Sequence, residues 1–429
     1  MIKKLYFYFV NTFIGIILIL VFLFVWYSVS PDWISKNIIS RLVSHDTKVF
    51  VRKNFIQKNF KKHINTIDQN QFINLGFKKL KLGFDYNDKK NLNHNVYQDV
   101  SHIDIWNDNL ILASSEGNFF YFKNNDLANF VNKKNKIDSN LKNLHLINNE
   151  VLGFSVKDIL VDKNYIYVSY VELKNNDCLS LIIERAEINL KYLEFGKFFN
   201  PEECVNRSET LGNLLHPGQA GGRISSFGEN KILFSTGNFR SSDVSQSNDS
   251  IYGKILEIDK TSGSYEIMSK GHRNPQGLYS DNKIILSTEH GPYGGDEINL
   301  IKKNGNYGFP IASYGEPYSH DKSDEKFSFK KNHDGFVEPI FSFVPSIGIS
   351  QIIKLPNSFN PKWQNNYLLS SLAGNSIYRI KFSENFDKII FYETIYIGER
   401  VRDIIYEKEN SLIFLVLEET ASLGVLFNK

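Results

Sequence analysis

Short alternating strands separated by turn residues constrain the fold of this chain more than any other feature. From about Val100 onwards, apolar runs recur between segments rich in Asn, Asp, Gly and Lys. The clearest runs are Ile103–Trp106, Leu110–Ser114, Phe119–Phe122, Ile159–Val161, Ile166–Tyr170, Leu181–Ala186, Ile232–Ser235, Ile255–Ile258, Ile284–Ser287, Tyr367–Ser370, Ile377–Ile380, Ile404–Tyr406 and Leu412–Val416. Strands this short, with turns every ~8–12 residues, are typical of a sandwich, a barrel or a propeller. The sequence therefore predicts an all-β domain over residues 97–429.

The N-terminal 30 residues have a different character. After Met-Ile-Lys-Lys, an apolar run extends from Leu5 to Val29, which is long enough to cross a ~30 Å hydrocarbon layer as a helix. The first alanine is Ala113, so the small residues of a signal-peptide cleavage site are missing. Residues 1–30 are therefore predicted to be an uncleaved transmembrane anchor. Lysines lie on both flanks, so the charge pattern does not decide its orientation.

Residues 31–96 are predicted to form a basic helical stalk and a linker. The apolar residues of Ile34–Val51 have loosely helical spacing, whereas residues 83–100 are polar and rich in Asn. Residues 1–98 carry 15 Lys and Arg against 5 Asp, and the rest of the chain carries 35 against 42 acidic residues. This asymmetry indicates a membrane-proximal segment joined to a mildly acidic domain. The aromatic residues of the basic segment are not spaced as stacking platforms, which argues against nucleic-acid binding.

The two cysteines leave two possibilities open. Cys178 and Cys204 both lie in polar, loop-like sequence. In an oxidising compartment they could form one disulfide, and otherwise they are two separate thiols. Neither belongs to a CxxC pair or has a histidine nearby, which disfavours a metal site.

Three closely spaced motifs place glycine, proline and charged residues where strands end. They read Gly-His-Arg-Asn-Pro-Gln-Gly-Leu (271–278), Glu-His-Gly-Pro-Tyr-Gly-Gly-Asp-Glu-Ile-Asn (289–299) and Gly-Asn-Tyr-Gly-Phe-Pro (305–310). Loops that meet over a rigid sheet often carry function. This stretch closely resembles the signature of the soluble quinoprotein glucose dehydrogenase / aldose sugar dehydrogenase family. Members of that family are six-bladed β-propellers that oxidise sugars with pyrroloquinoline quinone (PQQ) held by calcium.

The resemblance implies a six-bladed β-propeller, preceded here by the transmembrane helix and the helical stalk. About 330 residues at ~50 per four-stranded blade fit six blades. The resemblance also assigns Arg273 and Asn274 to the cofactor. Arg273 would act as a catalytic residue at the quinone oxygens, where fixed positive charge stabilises the negative charge that develops during hydride transfer. Taken alone, this arginine could equally brace a turn at a strand end.

The resemblance further predicts a calcium site at the backbone carbonyls of Gly291 and Pro292. Calcium prefers oxygen ligands and accepts carbonyls from a tight turn, which Gly-Pro supplies. Asp296 and Glu297 are expected to organise this loop rather than bind the metal. A tight turn without an ion is the alternative.

Two more segments complete the predicted cofactor site. Glu-Arg-Val-Arg-Asp (399–403) matches the Arg-x-Arg-Asp element of the family. Along a strand, Arg400 and Arg402 project to the same side, where their guanidinium groups suit a polyanionic cofactor. Ser346 follows Val-Pro and matches the family's Pro-Ser/Thr element. Ser-Leu-Ala-Gly-Asn (371–375) resembles the aldose sugar dehydrogenase branch and lacks the lysine that the glucose dehydrogenases carry there.

The catalytic base is the point at which the chain departs from the family. The family places a histidine four residues before the arginine of a Gly-Arg-(Ile/Leu) strand start, and in this chain that position is Gln219. The nearest histidine is His216, which a bulged Pro-Gly loop could bring to the same place. A neutral imidazole can accept a proton near pH 7, whereas Gln219 can only hydrogen-bond a sugar hydroxyl.

These expectations together describe a membrane-anchored, PQQ- and Ca²⁺-dependent dehydrogenase that oxidises an aldose at the anomeric carbon to its lactone. The resemblance also implies a respiratory electron acceptor and a propeller on the periplasmic side of the inner membrane. Because Gln219 replaces the expected histidine, the alternative is a catalytically inactive propeller that binds a glycan or a protein partner, as in hedgehog-interacting proteins. A lactonase-type hydrolase fits less well, because the Gly-Pro loop does not supply side-chain ligands for its calcium.

Overall fold

The computed structural model describes residues 74–82, 101–141, 155–317 except 176, 214 and 282, residue 330, and 332–429. The predicted anchor and the stalk up to residue 73 lie outside these residues. Among the residues that are described, no helix is long and apolar enough to cross a membrane.

The described strands form six sheets, which are the blades of a propeller. Neighbouring strands are antiparallel except for the pairs β5–β9 and β15–β19. Blade 1 contains β2 (Ser101–Trp106), β3 (Asn109–Ser114), β4 (Phe119–Lys123), β5 (Asn135–Ser139) and β9 (Tyr192–Leu193). Blade 2 contains β6 (Ser155–Asp162), β7 (Tyr165–Lys174), β8 (Cys178–Glu187), β10 (Gly196–Phe199) and β11 (Val205–Asn206). Blade 3 contains β12 (Gly221–Phe227), β13 (Lys231–Thr236), β14 (Lys254–Asp259), β15 (Tyr265–Lys270) and β19 (Gly305–Asn306).

The remaining blades follow the same plan. Blade 4 contains β16 (Pro275–Ser280), β17 (Ile285–Glu289), β18 (Asp296–Leu300) and β20 (Phe341–Phe343). Blade 5 contains β21 (Ile349–Lys354), β22 (Tyr367–Ser371), β23 (Ser376–Phe382) and β24 (Ile389–Tyr396). Blade 6 contains β25 (Val401–Glu407), β26 (Leu412–Leu417), β27 (Ser422–Asn428) and β1 (Leu75–Lys81). Two short helices, α1 (Asn124–Ala128) and α2 (Ser242–Gln246), lie in connections, as do single helical turns at Arg207–Glu209, Leu211–Asn213, Pro217–Gln219 and Pro361–Trp363.

The first strands of the blades pack against one another in a closed ring, in the order β2, β6, β12, β16, β21, β25 and back to β2. A hydrophobic cluster lies between each pair of neighbouring blades, so the described part of the core is divided into six layers around the axis. Fully burying a Leu, Ile, Val or Phe side chain stabilises the folded state by about 1.5–3 kcal/mol. The sequence-based prediction of an all-β, six-bladed propeller is confirmed.

The predicted start of the propeller at residue 97 is wrong. Strand β1, which was assigned to the stalk, pairs antiparallel with β27 along its whole length, from Leu75 opposite Asn428 to Lys81 opposite Ser422. Strand β1 is therefore the outer strand of blade 6, whose other three strands come from the C-terminal end of the chain. Little in the sequence indicates this strand, because an outer strand is largely exposed and its apolar alternation is weak.

The inner strands are joined by a recurring side-chain bridge. Asp104 of β2 accepts a hydrogen bond from the backbone N–H of Val161 in β6, at 2.6 Å. Asp158 of β6 accepts one from Ile224 in β12, at 2.8 Å, and Asp403 of β25 accepts one from Ile103 in β2, at 3.0 Å. An inner strand is the edge of its sheet, so its outward N–H groups need partners from elsewhere.

A disulfide joins Cys178 and Cys204, whose Cα atoms lie 5.6 Å apart. It fastens the start of β8 beside β11, where Asn206 pairs with Cys178. Of the two possibilities that the sequence left open, the structure therefore selects the disulfide.

Candidate functional site

The side chain of Arg223, in blade 3, forms hydrogen bonds to residues of blades 2, 4 and 6. Its Nη1 donates to Asp158 and Asp403, at 2.9 Å each. Its Nε donates to the carbonyl of Gln276 at 2.7 Å, and its Nη2 to the carbonyl of Arg402 at 3.1 Å. The arginine and both carboxylates are buried, so these hydrogen bonds form in a low dielectric, where charge-assisted bonds are strong. The backbones on which Gln276 and Arg402 sit are thereby held fixed relative to each other.

His102 lies beside this cluster, with Nδ1 3.8 Å from Asp158 and from Asp403. These three residues are close enough to ligate a metal ion. Arg223 already forms ion pairs with both carboxylates, however. Burial, followed by the charges of Arg223 and Arg402, lowers the pKa of His102 well below its usual value. We therefore read the cluster as a structural ion pair.

Arg400 and Arg402 meet at one carboxylate. Arg400 Nε donates to Glu418 at 2.6 Å, and Arg402 Nε donates to the other oxygen of Glu418 at 2.5 Å. Burial alone would raise the pKa of Glu418, but the two guanidinium groups outweigh it and lower the pKa. Both arginines thus reach one carboxylate, which fixes their orientation, although Arg400 precedes β25 and the register of this strand shifts after Val401.

Gln276 connects this pair to the motif that contains Asn274. Arg402 Nη1 donates to Gln276 Oε1 at 2.9 Å, and Gln276 Nε2 donates to Asn274 Oδ1, also at 2.9 Å. Asn274 Oδ1 accepts a second hydrogen bond from the backbone of Gly221 at 3.1 Å, and its Nδ2 donates to the carbonyl of Gly218 at 3.3 Å. A continuous set of hydrogen bonds therefore runs from blade 6 through blade 4 to the loop that precedes blade 3.

Arg273 lies against the predicted calcium loop. Its Nη1 donates to the carbonyls of His290 at 3.0 Å and of Gly291 at 2.9 Å. Its backbone N–H donates to buried Glu289 at 3.2 Å, and its guanidinium lies 5.9 Å from the ring centre of Phe309. One of the two carbonyls predicted to hold calcium is thus hydrogen-bonded to the arginine predicted to face the quinone.

The loop from Gly291 to Gly295 turns tightly and is held by Asp296. A Cβ at position 291 would lie 2.2 Å from the carbonyl oxygen of Gly295, so only glycine fits. Asp296 Oδ1 accepts from the backbone of Gly291 at 3.1 Å, and its Oδ2 accepts from Ile347 and Ile349 at 3.0 Å each. The expectation that Asp296 organises the loop is confirmed. The same carboxylate joins the calcium loop to the segment that carries Ser346.

Ser346 is one of several polar groups near these loops that have no partner in the described residues. Its Oγ is buried and forms no hydrogen bond, and the same holds for Nε2 of His290 and Nδ1 of His216. A buried polar atom without a partner is costly, by roughly 1–3 kcal/mol. Such atoms are commonly satisfied by a ligand or by water.

His216 begins the single helical turn Pro217–Gln219, and its carbonyl accepts from the backbone of Gln219 at 3.2 Å. The imidazole packs over Gly218, where a Cβ would lie 3.0 Å from its Cε1. Burial, followed by the charges of Arg240 and Arg273, lowers the pKa of His216 to about 4. The ring is therefore neutral at pH 7. Gln219 is half-buried beside it, and its carbonyl accepts from Phe239 at 3.0 Å.

The pKa values of two histidines respond to arginines from different blades. Burial lowers the pKa of His290 to about 4. Asp296 opposes this effect, and the charges of Arg402 and Arg273 add to it. The pKa of His290 is therefore lowered by both guanidinium groups, and the charge of Arg273 also lowers the pKa of His216. The contacts above bring His216, Arg273, Asn274, Arg400, Arg402, Gly291 and Pro292 into one connected region, and the roles assigned to them stay predictions.

A small cavity lies beside the predicted calcium loop. It has a volume of about 10 Å³ and is lined by Arg273, Glu289, Gly291, Glu297 and Ser313, among others. This is room for a single water molecule and too little for a quinone or a sugar.

Three residues of this region were not identified from the sequence. Gln276 stands two positions after Asn274, so strand alternation could have found it. Glu418 follows β26 far along the chain from both arginines, and no local pattern indicates its role. Lys157 lies in β6 and lowers the pKa of His216 and of His102. Only the tertiary structure brings it to the other residues.

Comparison with known proteins gives a consistent result. The family described as Glucose / Sorbosone dehydrogenase matches residues 111–425. Aldose sugar dehydrogenase YliI of Escherichia coli (strain K12) is 30% identical over 220 residues, which are 47% of this chain and 58% of that protein. Quinoprotein glucose dehydrogenase B of Acinetobacter calcoaceticus is 30% identical over 133 residues, 30% of this chain and 26% of that protein. The chain thus spans less than two thirds of each relative's length.

Solved structures show the same architecture. The apo form of soluble aldose sugar dehydrogenase from Escherichia coli has a TM-score of 0.63 at 18% identity, covering 83% of this chain and 100% of that one. The PQQ-bound aldose sugar dehydrogenase from Streptomyces coelicolor has a TM-score of 0.57 at 18% identity, covering 83% of this chain and 99% of that one. At this level of identity, the likeness shows the fold alone.

Proposed function

The chain belongs to the glucose/sorbosone dehydrogenase family, and from that membership we propose that it is a PQQ- and calcium-dependent dehydrogenase. Its proposed reaction is the oxidation of an aldose at the anomeric carbon to the lactone. The relatives named as an aldose sugar dehydrogenase and a quinoprotein glucose dehydrogenase support the substrate class and the cofactor. The PQQ-bound Streptomyces coelicolor structure supports the cofactor as well.

The observation that carries the proposal is the gathering of guanidinium groups from blades 4 and 6. PQQ is a tricarboxylate, and paired guanidinium groups suit carboxylates because they donate in a fixed, bidentate geometry. Arg400 and Arg402 are held by Glu418, and Arg402 is held again by Gln276. Together with the unpartnered Ser346 hydroxyl, these residues fit a polyanionic planar cofactor.

The other steps of the proposed reaction are assigned to residues of this chain. When bound, PQQ supplies an oxidised quinone that takes up the two electrons of the sugar as a hydride. Neutral His216 accepts the proton of the anomeric hydroxyl at its unpartnered Nδ1. Arg273 contributes fixed positive charge next to Gly291, and Gln219 hydrogen-bonds a sugar hydroxyl.

Calcium is assigned to the carbonyls of Gly291 and Pro292. Gly291 accepts a hydrogen bond from Arg273, so calcium at the same carbonyl would lie next to the guanidinium and be repelled by it until the arginine moves away. Backbone carbonyls are suitable calcium ligands, and an arginine released from them would be available for the cofactor. We therefore expect calcium and PQQ to bind together better than either binds alone.

The location and the electron acceptor are also part of the proposal. The apolar run Leu5–Val29 is the basis for a single-pass anchor. The disulfide between Cys178 and Cys204 favours an oxidising compartment such as the periplasm. An enzyme held there would pass its electrons to a respiratory acceptor at the inner membrane.

Reconstitution tests the proposal. The purified protein is mixed with PQQ and Ca²⁺, and the reduction of an artificial dye is followed with a panel of aldoses. We expect sugar-dependent reduction that is abolished by chelation and by Arg402→Met, and retained in Arg207→Met, which changes an exposed arginine near the disulfide. Calcium binding without any PQQ-dependent absorbance change would instead support the catalytically inactive glycan- or protein-binding propeller.

A further inference from the structure

Lys157 is a half-buried lysine that the proposed mechanism does not use. It lies in β6, and its stem packs on the backbone of Gly222, where a Cβ would lie 2.3 Å from the Cβ of Lys157. Gly222 also has φ +107°, so glycine is required there both by the close contact with Lys157 and by the backbone conformation. Lys157 Nζ donates to Ser155 at 3.1 Å. Within the described residues, no carboxylate forms an ion pair with it.

The neighbours of Lys157 are cations and imidazoles. Burial, followed by the charge of Arg402 in β25, lowers the pKa of Lys157 to about 7. Lys157 in turn lowers the pKa of His216, in the loop before β12, and of His102 in β2. Asp158 is adjacent in sequence, but its ion pair is with Arg223, which it shares with Asp403. An ammonium group partly withdrawn from water among cations is unfavourable unless an anion joins it.

We propose that Lys157 is a cofactor-binding residue of blade 2 that pairs with a carboxylate of PQQ. This inference rests on the proposed function. Arg400, Arg402 and Glu418 carry one net positive charge between them. Lys157 and Arg273 add two more, so the site offers three positive charges to a cofactor with three carboxylates. A carboxylate on the sugar, as in a uronate, has the same chemistry and is tested separately below.

The pairing predicts that a proton is taken up when the cofactor binds. In the free protein, the pKa of Lys157 is about 7, so at pH 8 the amine is largely neutral. A bound carboxylate raises that pKa, because an opposite charge favours the charged form. Affinity is therefore highest below pH 7 and falls as the pH rises above 7. His102, His216 and His290 have pKa values lowered by burial, so they stay neutral in this range. Burial raises the pKa values of Asp104 and Asp158 to about 7, so these carboxyl groups titrate in the same range, and the Lys157→Met variant assigns the proton to the lysine.

Isothermal titration of the calcium-loaded, full-length protein with PQQ measures this directly. Repeating the titration at pH 8 in two buffers of different ionisation enthalpy gives the number of protons taken up, which we expect to be about one. In Lys157→Met the uptake should disappear and the affinity should fall by about tenfold or more. Lys157→Arg should keep the affinity without proton uptake, because a guanidinium is always protonated.

The outcomes separate the inference from the function on which it rests. If the wild-type protein does not bind PQQ at all, the proposed function fails. If wild type binds PQQ and Lys157→Met binds it equally well with the same proton uptake, Lys157 has no part in cofactor binding. Unchanged PQQ affinity with a raised KM for uronates alone would assign Lys157 to the sugar and overturn the inference. Should Lys157→Met not fold, equal uptake by wild type at pH 6 and pH 8 would also overturn it.

Discussion

At the scale of single residues, Arg273 contacts a carbonyl that is also a proposed calcium ligand. The guanidinium donates to the carbonyls of His290 and Gly291, and of these two the Gly291 carbonyl lies where calcium is proposed to bind. A cation of the protein thus lies beside the proposed site of a cation from solution. The hydrogen bonds and the repulsion between the two positive charges both favour the ligand-free state until the cofactor draws Arg273 away.

Arg273→Ala should therefore have opposite effects on calcium and on catalysis. Without the guanidinium, the Gly291 carbonyl is free and a nearby positive charge is removed, so calcium should bind several-fold more tightly in the absence of PQQ. Turnover with PQQ should fall by about 10²–10³-fold, because a fixed charge at the developing negative charge is lost. Calorimetry with Ca²⁺ and the dye assay measure the two effects. A fall in both would show that Arg273 supports the loop rather than competing for it.

His216 is expected to stay uncharged to an unusually low pH. Its pKa is lowered to about 4 by burial and by Arg240 and Arg273, so the imidazole remains a proton acceptor through the neutral range and is lost as a base only when the pH falls towards 4. An NMR titration of the ligand-free protein should show this value for His216. His216→Asn should lower kcat by about 10²-fold or more, the usual contribution of a general base. A normal pKa near 6.5 would contradict the burial on which the assignment rests.

At the scale of elements, one carboxylate connects the two loops that flank the site. Asp296 stands at the start of β18 and accepts backbone hydrogen bonds from Gly291, Ile347 and Ile349. The calcium loop and the Ser346 segment therefore cannot move independently while this carboxylate is present. Strand β18 pairs with β17 inside blade 4. The Asp296 clamp, meaning this carboxylate and its three backbone hydrogen bonds, is therefore anchored in a rigid sheet.

Asp296→Asn should uncouple these loops. The amide can accept from fewer of the three N–H groups, and each buried group left unpaired costs about 1–3 kcal/mol. We expect a lower melting temperature and a loss of affinity for both PQQ and Ca²⁺, measured by calorimetry. Asp108→Asn, which changes an exposed residue of the turn between β2 and β3, is the control and should change neither. Full PQQ affinity in Asp296→Asn would mean that the clamp does not shape the site.

At the scale of the whole molecule, closure depends on a strand from the other end of the chain. Strand β1 covers the outer edge of β27, and Leu82 beyond it is buried and donates to the carbonyl of Ala421. Without β1, blade 6 would have three strands and an exposed edge. The propeller ring is therefore completed by residues that precede every other described strand.

Removing residues up to 82 should destabilise the propeller, whereas removing residues up to 73 should not. Loss of β1 exposes β27 and removes the packing of Leu75 and Leu80 against two interblade clusters. Burial of about 1.5–3 kcal/mol per leucine predicts a melting temperature lower by at least about 5 °C. Scanning calorimetry of the two truncated proteins tests this. Equal melting temperatures would show that β1 does not close the ring.

The sequence predicted most of the fold because blade strands are short and strongly alternating, as in Leu110–Ser114 and Leu412–Val416. It failed at β1, whose exposed face gives no such pattern. In the site, Arg400 and Arg402 meet at Glu418, as their expected proximity requires, but Arg400 precedes β25, so strand alternation is not the reason. The partners that fix them, Glu418 and Gln276, come from other strands and blades, so local sequence could not reveal the pairing. The disulfide was undecided for the same reason, since pairing depends on which strands become neighbours.

The account depends on arginines from separate blades forming one cofactor site, and a PQQ titration tests this most directly. Absorbance or calorimetric titration of the calcium-loaded protein should give a single PQQ site, and Arg402→Met should weaken it by about tenfold or more. Circular dichroism and the melting temperature would confirm that this variant is folded. If the wild-type protein shows no saturable PQQ binding, or if Arg402→Met binds PQQ as tightly as wild type, the guanidinium groups serve only to hold the blades together and the account is wrong.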